Sequence, residues 1–321
     1  VGRFGGTLVS RCAFLFPGQG SQKPGMGRDL FDAFHESREV FETADRVLDH
    51  PISRICFEGT EEELALTENT QPAILTVSIA AFRALEKRGL RPVATAGHSL
   101  GEYSAHVAAQ TFALQDAIRA VRARGRFMQQ AVKLGEGAMA AVIGLDAGEV
   151  DRICSESAAG EIVGAANMNG PGQIVIAGHT AAVKRAIEMA RAAGAKRSIL
   201  LPVSAPFHCS LMGPAAEKLE PVLKGMAFSD PALPVYTNVD AAPVAEVGTA
   251  LAALVRQVTA PVRWQELIEA MLAAGIDKFL EVGPGRVLSG LMKRISKEAK
   301  ILAVGDPAGV ERAVEEFAPG Q

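Results

Sequence analysis

Apolar positions run without a break from Cys12 to Phe16 and stop at Pro17-Gly18-Gln19-Gly20-Ser21-Gln22. That pattern predicts a short buried strand entering a turn whose glycines let backbone amides approach a ligand. Helical spacing follows at about 28–48 and again at 72–88, the second opening at Pro72, a favoured first-turn residue. A further apolar run, Val93 to Ala96, ends at Gly97. Strand, turn, helix and strand in this order predict an α/β fold. From Met139 the order changes to strand 138–144, helix 146–158, strand 161–167, strand 173–177, helix 180–193 and strand 196–203, with Asn169-Gly170-Pro171-Gly172 as a hairpin turn. This is a β-α-β-β-α-β unit of the ferredoxin-like kind. The chain then resumes helix 210–224, strand 233–237, helices near 245–258 and 263–274, strand 277–282 and a Gly-Pro-Gly turn at 283–285. The expected organisation is a discontinuous large α/β unit, 11–135 and 204–321, with a mainly parallel sheet and a small unit inserted at 136–203.

Composition narrows the function classes. With 33 basic and 36 acidic residues the net charge is −3, which lacks the basic footprint of a nucleic-acid binder. No apolar run approaches the ~18 residues of a membrane span, and the first residues lack the pattern of a signal peptide, so a soluble cytoplasmic protein is expected. Residues 1–10 are Gly-rich and are read as a frayed end or tag remnant. Cys12, Cys56, Cys154 and Cys209 are scattered without CxxC spacing, which indicates neither a zinc site nor a disulfide framework.

Candidate chemistry begins at Gly97-His98-Ser99-Leu100-Gly101, a G-x-S-x-G match between an apolar run and a helical one. The two glycines flank a tight strand-to-helix turn that exposes the serine, as in α/β-hydrolase-like folds, and the Leu100 N–H can face a developing oxyanion. A serine nucleophile needs a base. Of the six histidines, His35 and His106 fall in helical runs, His50 in a polar loop and His179 at a strand-to-helix junction, while the His98 side chain is expected to point away from that of Ser99. His208 ends the Pro-punctuated loop 202–208 at a helix start, where the helix field would keep it neutral. On the helix predicted over 115–131, Arg124 lies in the middle of an apolar stripe of Ala117, Ala120, Val121, Phe127, Met128 and Ala131, whereas Arg119, Arg122 and Arg126 face the other way. A buried arginine needs an anionic partner, either one of the chain's own carboxylates or an anionic substrate.

Several segments in order resemble the malonyl-CoA:acyl-carrier-protein transacylases of bacterial fatty acid synthesis: FLFPGQGSQ at 14–22, GHSLGE at 97–102, NMNGPGQIVIAG at 167–178, APFHCSLM at 205–212, VRQ at 255–257 and EVGPG at 281–285. The resemblance spans about residues 12–305. It implies that Ser99 is acylated, that His208 is its base, and that Arg124, in RGRFMQ at 124–129, grips the malonyl carboxylate. It also implies that the Gln19 and Leu100 amides form the oxyanion hole and that the Gln257 main-chain carbonyl orients His208, with no acidic third member. Malonyl-CoA and the phosphopantetheine thiol of an acyl carrier protein would be the substrates, with no metal or redox cofactor, no nucleic acid and no membrane. Phe207 fits a malonyl-sized pocket and equally fits simple loop packing. Two rivals share parts of the pattern: a polyketide-type acyltransferase, and a serine hydrolase or thioesterase. A hydrolase would need an acid between Ser99 and His208, yet Asp116, Asp146 and Asp151 all open or occupy helices.

Overall fold

A computed structural model describes residues 12–203 and 205–317. The Gly-rich segment 1–10 and Ser204 of the loop before His208 lie outside the described residues.

The first half of the chain runs β1 (Cys12–Phe16), α1 (Arg28–Ala33), α2 (His35–Leu48), α3 (Ile52–Glu58), α4 (Glu61–Ala65), α5 (Thr67–Lys87), β2 (Ala94–Gly97), α6 (Gly101–Ala108) and α7 (Leu114–Gln130). The middle holds β3 (Gly137–Ile143), α8 (Ala147–Ser157), β4 (Val163–Gly170), β5 (Gln173–His179), α9 (Thr180–Ala192) and β6 (Arg197–Leu200). After a 3-10 turn at Ser210–Met212 come α10 (Gly213–Lys224), β7 (Val235–Tyr236), β8 (Pro243–Val244), α11 (Val247–Gln257), α12 (Trp264–Ala273), β9 (Lys278–Val282), α13 (Val287–Ile295), β10 (Lys300–Val304) and α14 (Pro307–Phe317).

Six strands form one sheet in the order β10-β9-β1-β2-β7-β8, parallel except for the terminal β8. β1 is buried at every position, as a central parallel strand covered on both faces must be. One face packs on the helices around α5, whose residues are buried almost throughout, and the other on α12 and α13 around Trp264. The second sheet is antiparallel in the order β4-β5-β3-β6, with α8 and α9 on one face. The α/β class and the inserted βαββαβ order both agree with the sequence reading. β4 of the small sheet is pinned to the connection between α11 and α12 through Val262, whose N–H donates to Ala166 O at 2.9 Å and whose carbonyl accepts from Met168 N at 2.8 Å.

Local departures have identifiable causes. α5 begins at Thr67, so Pro72 lies inside the helix rather than opening it. The polar stretch Thr67 to Gln71 is helical as well, and its side chains satisfy the carbonyls that end α4: Asn69 Nδ2 donates to Glu63 O, and the Thr70 hydroxyl donates to Leu64 O. The expected helix at 28–48 breaks at Phe34, which turns extended and seats its ring 4.0 Å beneath the Arg88 guanidinium. The helix expected from 210 begins instead at Gly213, after the 3-10 turn.

Candidate active site

β2 delivers the elbow from the middle of the sheet. A Cβ on Gly97 would lie 1.9 Å from the Gly101 carbonyl carbon, and one on Gly101 would lie 2.1 Å from Phe16 O, so the chain turns back on itself too closely for any side chain at either position. Between them Ser99 adopts φ 52°, a left-handed conformation that a non-glycine residue takes only when its surroundings enforce it. Asn238, in the loop after β7, supplies that enforcement. Its Oδ1 accepts from the Ser99 N–H at 2.7 Å and its Nδ2 donates to Gly97 O at 2.7 Å. Nothing in the sequence pattern marks Asn238. Its partners lie some 140 positions away, and only the β2–β7 pairing brings it to the elbow.

Ser99 Oγ lies 2.7 Å from His208 Nε2, and His208 Nδ1 lies 2.9 Å from the backbone carbonyl of Gln257. A carbonyl only accepts, so the proton sits on Nδ1 and Nε2 presents its lone pair to the serine hydroxyl. His208 also has positive φ, 60°, and is buried. Its imidazolium is pushed down to about 3, first by burial and then by the nearby Arg124 charge. It is therefore neutral as anticipated, but for a different reason: the nearest helical turn starts only at Ser210, and burial replaces the expected helix field. Among the described residues no carboxylate bonds this histidine. Asp146 caps α8, Asp116 pairs with Arg119 in the first turn of α7, and Asp151 lies within α8.

Arg124 is 1% exposed. Its guanidinium donates to Gln71 Oε1 at 2.8 Å, Gln257 Oε1 at 2.9 Å and Ser99 Oγ at 3.1 Å, while Nε has no partner among the described residues. All three acceptors are neutral, and no ion pair within 4 Å is made to a described carboxylate. Glu102, the buried acid whose field Arg124 feels, is reached only through the Gln257 amide. Gly125 lets α7 approach this closely, since a Cβ there would lie 2.6 Å from Thr67 O of α5.

Gln19, Gln71, His98, Ser99, Arg124, Phe207 and His208 line one cavity of about 120 Å³, closed on its apolar side by Met128, Met139, Leu201 and Val203. Residues from both sheets thus face one cleft. His98 also lines this cavity, but its side chain goes to other partners than that of Ser99: its Nε2 bonds Asn169 Oδ1 of β4 at 2.8 Å and its ring tilts against Trp264, because the small sheet reaches over the elbow and offers a partner there. The Gln19 and Leu100 N–H groups have no protein acceptor among the described residues, and Gln19 sits on the cavity wall. Phe207 is buried at the same wall.

A parallel α/β sheet that exposes a serine at its central elbow, faced by a histidine and an arginine and flanked by a ferredoxin-like sheet, defines the serine-dependent acyl-transfer class. The family described as acyl transferase domain matches residues 13–316, and the chain belongs to it. It is 47% identical over 308 residues to the malonyl CoA-acyl carrier protein transacylase of Bacillus subtilis (strain 168), covering 96% of this chain and 97% of that protein. The transacylase of Escherichia coli (strain K12) is 46% identical over 308 residues, covering 96% and 100%. The solved structure of the Coxiella burnetii transacylase superposes with a TM-score of 0.95 at 40% identity, covering 98% and 99%. A malonyl-transacylase solved in complex with its type II polyketide acyl carrier protein superposes at 0.93 with 48% identity, covering 95% and 99%.

Proposed function

We propose that this chain moves a malonyl group from malonyl-CoA, through an ester on Ser99, to the phosphopantetheine thiol of an acyl carrier protein for fatty acid synthesis. Ser99 Oγ attacks the thioester carbonyl as His208 Nε2 takes its proton, and the Leu100 and Gln19 amides hold the oxyanion. Collapse expels the CoA sulfur, which receives that proton. In the return step the carrier thiol gives its proton to His208 and attacks the ester, and Ser99 Oγ recovers a proton as it leaves. Gln257 keeps His208 in the required tautomer through its carbonyl, and Phe207 bounds the space beside the acyl α-carbon. The cleft lies between the discontinuous large unit, 11–135 and 204–321, and the small unit, 136–203.

The observation that carries this reading is the Arg124 guanidinium, held in the cleft beside Ser99 by neutral oxygens alone. A malonyl carboxylate supplies the missing anion, and a guanidinium can take it bidentately. The sequence relatives named above, transacylases by name, support the same substrate. Intact mass after mixing with malonyl-CoA tests it: a covalent malonyl adduct is expected on the unaltered protein and none on Ser99→Ala. An adduct on Ser99→Ala, mapped to another residue, would defeat the assignment. The 48% identity to a polyketide system's transacylase favours one second reading, a polyketide carrier as acceptor, which transfer rates to the two kinds of carrier distinguish. The setting proposed is the cytoplasm; no described helix is long and apolar enough to cross a membrane.

A further inference from the structure

One carboxyl that takes no part in these steps bonds two of the residues that hold the reacting pair. Glu102, in the first turn of α6, is fully buried. Its Oε2 accepts from the backbone N–H of Asn238 at 2.8 Å and from Gln257 Nε2 at 2.9 Å. Both partners hold the reacting pair. Asn238 clamps the backbone on either side of His98, and Gln257 donates to Ser99 O at 3.0 Å, fixes His208 through its carbonyl and accepts from Arg124. The two come from different places, the loop after β7 and the last residue of α11; they meet directly at 3.5 Å, Gln257 Nε2 to Asn238 Oδ1, and Glu102 Oε2 is the acceptor they share on the elbow helix. A buried carboxyl is costly, and Oε1 has no partner among the described residues, so packing alone would be better served by an apolar side chain.

We infer that Glu102 is a positioning residue of the acyl-transfer site: by accepting from Asn238 and Gln257 with one oxygen, it sets the Ser99–His208 separation. The inference rests on the Ser99–His208 reading above. In a Ser-His-Asp site the acid touches the histidine; here it stands one residue further back, acting through the glutamine.

Rapid-quench measurement of Ser99 malonylation, giving both rate constant and stoichiometry, tests this on Glu102→Leu, which matches the size but removes the acceptor. Full stoichiometry at a rate constant roughly 10–100-fold lower is expected, with KM for malonyl-CoA little changed, because a displacement near 1 Å costs on that order. Glu102→Gln should recover most of the loss, since its amide oxygen can accept both N–H groups. A Leu variant at the unaltered rate overturns the inference, as does one with normal rate per site and reduced stoichiometry, the signature of a merely structural role. A Gln variant as slow as the Leu variant also overturns it, by making charge rather than acceptance the agent. Should the Leu variant not fold, Glu102→Asp, which withdraws the carboxylate by one methylene, decides: slow labelling at full stoichiometry supports the inference and unaltered labelling ends it. Malonylation of Ser99→Ala would instead fault the nucleophile reading and is distinguishable from all of these.

Discussion

At the scale of single residues, the neutral surroundings of Arg124 separate two accounts of its charge. An internal ion pair would leave a protein carboxylate stranded when the arginine is removed, but its hydrogen-bond acceptors are two amides and a hydroxyl. Arg124→Ala is therefore expected to lower kcat/KM for malonyl-CoA by roughly 10–100-fold, from a charged hydrogen bond of about 1.5–3 kcal/mol, while acetyl-CoA is unaffected or improved. Parallel loss on both substrates together with a lower melting temperature would make Arg124 structural. His208 carries a second expectation. With its imidazolium near 3, the base is already neutral at pH 5, so single-turnover malonylation should stay level from pH 8 to about 5 instead of falling around 6.5. In the unfolded chain the same histidine binds a proton near 6.5, so the stability tied to the neutral form is intact above 6.5 and drains away as pH falls toward 3. Glu102, raised by burial to about 7, acts in the opposite sense: its contribution is whole below its ordinary 4.5 and is lost as pH rises through 7. A rate profile with a half-loss at 6.5 would show that water reaches His208.

At the scale of elements, the closeness of α5 and α7 at Gly125 fixes where Arg124 can reach. Gly125→Ala would press a methyl to within 2.6 Å of Thr67 O and 2.9 Å of the Glu68 Cα, so the helices must separate, at a cost of about 1–3 kcal/mol. Thermal melting should show that loss, and malonyl transfer should fall with it because the Gln71–Arg124 bond spans the same gap. Gly164→Ala in β4, with open space around its Cβ, should leave both unchanged. Elements with strong local signals, β1, the elbow, α7 and the βαββαβ order, were legible in the sequence, as was Arg124 from its place on an apolar stripe. What escaped was set by distant partners. Pro72 reads as a helix opening because the bonds that tie the polar residues before it to the structure, from Asn69 and Thr70 to the last carbonyls of α4, are tertiary and leave no local pattern. Asn238, Gln71 and Glu102 carry no local mark of their roles, since each is defined by a partner dozens of positions away. The neutrality of His208 was anticipated, but its cause, burial, belongs to the tertiary fold.

At the scale of the whole molecule, the two sheets meet where β4 lies over the elbow, and this bears on where a carrier docks. Lys293 and Arg294 end α13, and a Cβ on Gly170 of β4 would lie 3.8 Å from the Arg294 Cβ, one residue from the Asn169 that holds His98. Lys196 and Arg197 stand instead at the start of β6, several strand residues from the cavity-lining Leu201. Carrier proteins are acidic, so the first pair is expected to steer them. Reversing both charges, Lys293→Glu with Arg294→Glu, should slow transfer to the carrier in a salt-dependent way and leave malonylation by malonyl-CoA intact; equal loss in both half-reactions would remove the docking role. The uncommitted charge of Arg124 has a consequence on a longer timescale. Because no carboxylate among the described residues is paired with it, a lineage could exchange that one arginine for a neutral side chain without first evolving a compensating change elsewhere. On the function proposed above, the choice between anionic and neutral acyl groups is then a single mutational step, open to drift and to selection alike, with the nucleophile and base unchanged.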